Sequence, residues 1–320
     1  MTSILITGVA GFVGSNLAKS LLKDGYEVIG VDNLSSGTED NIPDGVSFYK
    51  YDITYTKLAL ESLFKYFKFD TVFHLAASTC LSACNENPEL SVTNNVIGTL
   101  TMLMFCKQYN TRKLIYADTS AQYENEQYVL PAPSQDECGR DILQPKSVYG
   151  ASKAAAFLLC RSYERMHNMN ISYTRYGNVY GVCQDFRRVD APVMSAFIKK
   201  YLDGKQPIIY GDGSKRRDFI YVDDVNDLNK FIMLSNTSAG KIYDVGTGKN
   251  YSIYDVGKII AKAMGKQFNP VFEPNRDWEA QENLADIRAA RELGWEPKVS
   301  LDVGIAKSIA YLTEKLCKFS

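Results

Sequence analysis

Histidine is scarce: the 320 residues contain only His74 and His167, which argues against a histidine-built metal centre or a histidine-based acid–base site, although each remains able to act alone. Charge of one sign is missing too. Lys plus Arg number 36 and Asp plus Glu 37, so a net charge of −1 gives no broad field for gripping nucleic acid or an anionic membrane. Any bound anion must therefore be held locally. The cysteines Cys80, Cys84, Cys106, Cys138, Cys160, Cys183 and Cys317 are odd in number and contain neither a CxxC pair nor a metal-spaced cluster, which excludes a disulfide framework and a structural zinc site. They read as reduced thiols of a cytoplasmic protein with no metal. Apolar runs stay well short of the roughly 18 residues that span a bilayer. The amino terminus passes from Met1 through Ile6 straight into a glycine-rich turn, so no signal segment is expected.

What is present is a chain rich enough in apolar (45%) and aromatic (12%) residues to bury a large core, and its length fits two closely packed lobes. Over the first half, short runs of Ile, Val and Phe alternate with helix-length amphipathic stretches, the pattern of repeated βαβ units and a parallel sheet. Strands are expected at Ile4–Thr7, Glu27–Val31, Val46–Tyr51, Thr71–Leu75, Lys113–Ala117 and Ile171–Arg175. Helices are expected at Val13–Asp24, Lys57–Phe67, Leu90–Tyr109 and Ser152–His167. Beyond about residue 180 isolated strands such as Pro207–Tyr210 sit among polar loops, and helices follow at Ile253–Ala263 and Leu301–Leu316. Asp218–Tyr221 is expected to return the chain to the main sheet. Residues 1–179, with 218–245 returning to them, would form one lobe, and residues 180–217 and 246–320 a smaller one.

Gly8-Val9-Ala10-Gly11-Phe12-Val13-Gly14 follows the first strand and opens the first helix, and Asp32 closes the next strand. Glycines at such a turn let the backbone bend sharply and approach a pyrophosphate, whose charge then rests at the helix amino terminus. Asp32 is placed to accept from an adenosine ribose hydroxyl and to repel a 2′-phosphate, which favours NAD over NADP. The expected architecture is an α/β, Rossmann-type doubly wound parallel sheet with a smaller carboxy-terminal substrate lobe.

Tyr149 and Lys153 stand four residues apart, one turn along the same helix face. A lysine beside a phenol favours the phenolate and lowers its pKa from about 10, making the tyrosine a base for a carbinol.

These motifs resemble the extended short-chain dehydrogenases/reductases, and over nearly the whole chain the NAD-dependent nucleotide-sugar epimerases and dehydratases, closest in pattern to UDP-glucose and UDP-N-acetylglucosamine 4-epimerases. The resemblance implies cofactor contacts from Asp32, Asn33, Ser35, Ser36 and Gly37, from Asp52 and Ile53, and from Leu75, Ala76 and Ala77 after the fourth strand. It implies that Thr119, in Ala117-Asp118-Thr119-Ser120-Ala121-Gln122-Tyr123, completes the triad, with Ser120 as the neighbouring alternative. Gln122 and Glu124 depart from the Val and Gly usual there. Ser120 and Ala121 replace the Asp-Glu pair of 4,6-dehydratases.

For the sugar nucleotide, the resemblance implies Ser78, Thr79 and Cys80 along the hexose pocket, Asn178 on the phosphate, and Arg217 with Phe219 and then Arg276 along the diphosphate arm. Glu279 replaces the usual ribose-binding Asp. Asn283 stands where 4-epimerases vary between tyrosine and a smaller residue, which leaves room for a 2-acetamido group. Leu81-Ser82-Ala83 lack the arginine of uronate epimerases. The implied activity is 4-epimerisation of a UDP-linked hexose or N-acetylhexosamine by a homodimer, the dimer formed through the helices at Leu90–Tyr109 and Ser152–His167. Dehydration, reduction, epimerisation at another carbon, or a non-catalytic NAD-binding role remain the alternatives.

Overall fold

A parallel sheet of seven strands organises the computed structural model, which describes residues 2–123, 143, 145–188, 190–276 and 279–317. In chain order its first six strands are β1 (Ser3–Thr7), β2 (Glu27–Asp32), β3 (Ser47–Lys50), β4 (Thr71–His74), β5 (Lys113–Thr119) and β6 (Ile171–Tyr176). Ile242–Val245 supplies the last. The spatial order is Ile242–Val245, β6, β5, β4, β1, β2, β3. From β1 the chain winds outward to β2 and β3, then crosses back to β4 and continues the other way. The carboxyl ends of β1 and β4, paired Thr7 to His74, therefore part into a crevice at the point where the winding reverses.

Such a sheet needs apolar side chains on both faces. One face buries Leu5, Val72 and Tyr116 against α2 (Lys57–Phe67) and the helices Gly98–Gln108 and Val148–His167, the last contributing Phe157 to the same core. The other buries Ile4, Ile6 and Phe73 against α1 (Phe12–Lys23) and the helix Val222–Leu234. A third core lies beyond the sheet, where Tyr180, Phe219 and Tyr221 pack on the helices Val193–Leu202, Ile253–Ala263 and Leu301–Cys317. Lys113, wholly buried at the start of β5, donates to Ile232 O (2.6 Å), Ser235 O (2.5 Å) and Ser238 Oγ (2.8 Å). It thereby caps the carboxyl end of the Val222–Leu234 helix, where unpaired carbonyls and the helix dipole favour a cation.

Two elements differ from the sequence expectation. The stretch read as a helix from Leu90 to Tyr109 is helical without a break, from Pro88–Val92 through to Gly98–Gln108, but it widens into a π-helical turn at Thr93–Ile97. Gly98 sits at the junction because a Cβ there would lie 2.5 Å from Ile53 Cδ1. Second, Phe219–Tyr221 does not join the main sheet. It pairs in parallel with Asn178–Tyr180, because its aromatic side chains belong to the third core, and Ile242–Val245 is the strand that returns.

Within the Gly98–Gln108 helix Met102, Leu103 and Phe105 are buried in the chain itself, whereas Met104 is 48% exposed. Cys80, Cys84, Cys106, Cys160 and Cys183 are free thiols; Cys138 and Glu124 lie outside the described residues. Among the described residues no helix is long and apolar enough to cross a membrane, and no cluster of side chains fits a metal.

Candidate active site

The crevice is a cleft of about 370 Å³. Its floor is the turn from β1 into α1. Gly8 adopts φ +77°, and a Cβ on it would lie 2.8 Å from Ala76 N; a Cβ on Gly14 would lie 2.1 Å from Gly8 O. Only glycine lets the turn fold this tightly against the fourth-strand segment and opens the helix amino terminus to a ligand. Phe12 and Val13 begin α1 and line the cleft with Gly8, Gly11 and Gly14.

Asp32 ends β2 beside this turn, accepting from Ala10 N (3.0 Å) and Leu34 N (2.8 Å); burial raises its pKa against those bonds. It thus fixes the turn as well as facing the cleft. Asn33, Ser35, Ser36 and Gly37 line the same wall, and Asn33 Nδ2 donates to Asp52 Oδ2 at 2.8 Å. Asp52 and Ile53 continue it, and Leu75, Ala76 and Ala77 close it from β4. Every residue expected to contact the dinucleotide therefore borders one cavity. For Asp32→Ala we expect NAD affinity to fall and the NADP-to-NAD affinity ratio to rise by about tenfold or more, because a repelling charge is removed. Isothermal titration with each dinucleotide checks this, and an unchanged ratio would count against the assignment.

The segment after β4 is held by a buried hydrogen-bond chain. Thr99 Oγ1 donates to Asn95 O (2.6 Å), so it accepts from His74 Nε2 (2.9 Å), and Nδ1 accepts from Thr7 Oγ1 (2.8 Å). That assignment needs a neutral imidazole. Burial, aided by the Lys153 charge, pulls the His74 pKa down to about 3. Asn95, in the π-helical turn, accepts from Ser78 N (2.7 Å) and donates to Ser152 Oγ (2.9 Å), tying the fourth-strand segment to the helix bearing Tyr149 and Lys153.

That helix, Val148–His167, starts at Ser147, whose hydroxyl caps Gly150 N at 3.1 Å. Its first turns place Tyr149 and Lys153 in the cleft opposite Thr119 at the end of β5. Lys153 is 3% exposed; its Nζ donates to Ala117 O at 2.6 Å and lies 4.1 Å from the centre of the Tyr116 ring. Burial lowers its pKa to about 8, with Asp118 opposing. Thr119 Oγ1 accepts from Ala121 N at 3.2 Å, which leaves its proton available to another acceptor.

Of the residues expected at the sugar nucleotide, Thr79 and Thr119 line the same cleft. Cys80 Sγ donates to Asp190 Oδ1 at 3.1 Å, and Asp190 pairs with Arg188 at 3.2 Å. Ser120 Oγ accepts from Asn283 Nδ2 at 3.2 Å, joining residues 163 positions apart across the two halves of the chain. Further out, Glu279 gathers Lys215 (3.3 Å), Arg276 (3.4 Å) and Arg217 (3.8 Å), three cations around one carboxylate, with the Arg276 guanidinium 3.6 Å from the centre of the Tyr210 ring. The two arginines read as diphosphate-binding thus share a partner. Asn178 stands beside Phe219 in the small parallel pair. Phe219 itself is 4% exposed, its ring edge-on to Tyr180 at 6.4 Å, so it serves packing and not the cleft.

Sequence reasoning missed several cleft residues: Asp118, the Gln184–Arg188 loop, and Tyr311 with Lys315 from the last helix. The i,i+4 spacing of Tyr311 and Lys315 puts them on one face, but nothing local says that this face meets the cleft.

A doubly wound sheet with a glycine cradle at its switch point, a ribose-side carboxylate and a tyrosine–lysine pair opposite defines an NAD-dependent enzyme. The comparisons with known proteins agree. The model of the NAD dependent epimerase/dehydratase family matches residues 4–246. The chain is 34% identical over 319 residues to the UDP-glucose 4-epimerase of Mycolicibacterium smegmatis, covering 97% of this chain and 98% of that one. Among solved structures, the UDP-glucose 4-epimerase of Thermotoga maritima with UDP-glucose superposes with a TM-score of 0.92 at 32% identity, over 98% of this chain and 100% of that one. The UDP-N-acetylglucosamine 4-epimerase of Methanobrevibacter ruminantium, in complex with UDP-N-acetylmuramic acid, superposes with a TM-score of 0.90 at 28% identity, over 98% and 99%. This chain belongs to the NAD-dependent epimerase/dehydratase family.

Proposed function

We propose that the protein is a nucleotide-sugar 4-epimerase acting on a UDP-hexose or UDP-N-acetylhexosamine through a transient 4-keto sugar. The observation that carries this reading is that Tyr149, Lys153 and Thr119 line the same cleft as the glycine turn and Asp32. NAD, when bound, takes up and returns the hydride of the sugar carbinol. Tyr149 removes the C4 hydroxyl proton, Thr119 hydrogen-bonds the same oxygen, and the Lys153 ammonium favours the phenolate. Lys215, Arg217 and Arg276 hold the diphosphate while the keto sugar turns, and bidentate guanidinium contacts suit a dianion held without help from net charge. On return Tyr149 gives its proton back to the oxygen, now on the opposite face.

Ser120 and Ala121 bring no carboxyl group to the sugar, so the acid and base needed to eliminate water are missing at the place where dehydratases carry them. This favours epimerisation over 4,6-dehydration. Incubation with UDP-sugars in deuterated water tests the choice by NMR: the expected product is a C4 epimer without deuterium. Deuterium at C3 or C5 supports enolisation and a different outcome.

Asn283 donates to Ser120, the residue after Thr119; we read it as a neighbour of the sugar, where a side chain shorter than tyrosine would leave space for a 2-acetamido group. In Asn283→Tyr we expect kcat/KM for UDP-N-acetylhexosamine to drop at least about tenfold more than that for UDP-hexose, the scale of a steric exclusion in a pocket. Equal losses on both substrates would remove Asn283 from substrate selection.

Leu90, Val92, Ile97 and Met104, with Leu158 and Met166 of the neighbouring helix, are apolar and 39–71% exposed. We propose that this face pairs in a homodimer, which sedimentation of the purified chain checks. The free thiols of Cys80, Cys84, Cys106, Cys160 and Cys183 support a reducing, cytoplasmic setting.

A further inference from the structure

Behind the reacting trio lies a row of charged side chains that the proposed chemistry does not use. Asp118 on β5, Arg175 on β6 and Asp244 on the adjoining edge strand are direct neighbours in register across three strands, each at most 9% exposed. Arg175 Nε is 3.7 Å from Asp118 Oδ2, and its Nη1 is 3.0 Å from Asp244 Oδ1. Gln122 Nε2 donates to the same Asp118 Oδ2 at 2.6 Å, while Asp118 Oδ1, fully buried, has no hydrogen-bond partner among the described residues. On the other side Lys153 bonds the carbonyl of Ala117, the residue before Asp118, and both Asp118 and Lys153 border the cleft. Lysine, aspartate, arginine and aspartate thus alternate in sign through one buried cluster.

An ammonium buried without a counter-charge gives up its proton, and a lysine that has done so no longer favours a phenolate. We propose that Asp118 is the counter-ion that keeps Lys153 charged, held in place by Arg175 and Gln122, and is thereby a positioning residue for the tyrosine base. The other groups facing Lys153 do not supply a negative charge in the resting enzyme. Burial raises the Tyr116 phenol and the Cys160 thiol far above neutrality, His74 stays neutral, Tyr149 is the group being activated, and Asp244 is spent on Arg175. Burial draws Lys153 down, and Asp118 is the strongest influence in the opposite direction. Loss of the Asp118 charge should therefore move the Lys153 titration, and with it the alkaline limb of activity, to lower pH.

The inference rests on the Tyr149–Lys153 assignment, so its test reads the lysine directly. In full-length protein with NAD bound and no sugar present, lysines labelled with ¹³C at Cε are titrated by NMR, the Lys153 signal being identified by its loss in Lys153→Met. In Asp118→Asn the Lys153 midpoint should fall by at least about one pH unit, the scale of a buried charge neighbour. If that variant does not fold, Asp118→Ser, which leaves Arg175 on Asp244, carries the same expected shift. An unmoved midpoint, with stability or kcat lowered evenly at all pH values, would overturn the proposal and make Asp118 merely structural. A moved midpoint in a protein that epimerises nothing would instead refute the functional reading and leave the counter-ion standing.

Discussion

Replacing Tyr149 by phenylalanine is expected to slow epimerisation by about three orders of magnitude while leaving NAD binding and the fold intact. A positioned acid–base group contributes roughly 10² to 10⁴ in rate, and of the tyrosines lining the cleft, Tyr51, Tyr149, Tyr176 and Tyr311, it is Tyr149 that stands one helical turn from Lys153. His74, the nearest alternative base by chemistry, has both ring nitrogens engaged, by Thr7 and Thr99. The loss should fall on kcat, because on the proposed mechanism the missing hydroxyl acts on the reacting oxygen and the proposed diphosphate contacts at Arg217 and Arg276 are untouched. Steady-state kinetics with circular dichroism and a dinucleotide titration separate these effects. A variant that epimerises at the parent rate contradicts the role given to Tyr149.

Gly14→Ala is expected to lower NAD affinity by at least about a hundredfold. The added Cβ would sit 2.1 Å from Gly8 O, a backbone atom that cannot step aside. Either α1 moves off β1 or the turn opens, and both displace the amide groups at the helix amino terminus that would face a bound pyrophosphate. Overpacking of this kind typically costs about 1–3 kcal/mol, so thermal stability should fall together with binding. Titration calorimetry and a melting curve measure the two. Parent-like affinity in this variant would mean that the glycine turn is not the pyrophosphate cradle.

What could be read in advance was local. The glycine spacing 8, 11, 14 encodes a turn and a helix start within seven residues, Asp32 ends the next strand, and the four-residue step from Tyr149 to Lys153 is one helical turn; each needs no knowledge of the rest of the chain. What could not be read depends on distant segments meeting. Asn283 reaches Ser120, Arg175 lies between Asp118 and Asp244, and the last helix brings Tyr311 and Lys315 to the cofactor cleft. Phe219 illustrates the limit, since the motif containing it marks a substrate segment while its ring is drawn into the third core by Tyr180. The helix expected from Leu90 to Tyr109 forms, but the π-helical turn inside it has a related cause. Its apolar periodicity is continuous, yet Asn95 must meet Ser78 and Ser152 at once, and the backbone widens into a π-helical turn where it does so.

Gln122 and Asp118 show how a departure from a familiar pattern gains meaning only in three dimensions. In the sequence Gln122 is an oddity in a loop; in the fold its amide holds the carboxylate next to the buried lysine. The same holds for Glu279, whose carboxylate gathers three cations, Lys215, Arg217 and Arg276, into a single group.

The account depends on one hydride leaving and rejoining the same carbon of the sugar. UDP-glucose carrying deuterium at C4, incubated with the NAD-loaded protein in ordinary water, is the most direct measurement. The expected result is a C4-epimeric product that retains the full label at C4. Loss of the label to solvent, or turnover that leaves C4 unchanged while another carbon inverts, would contradict it.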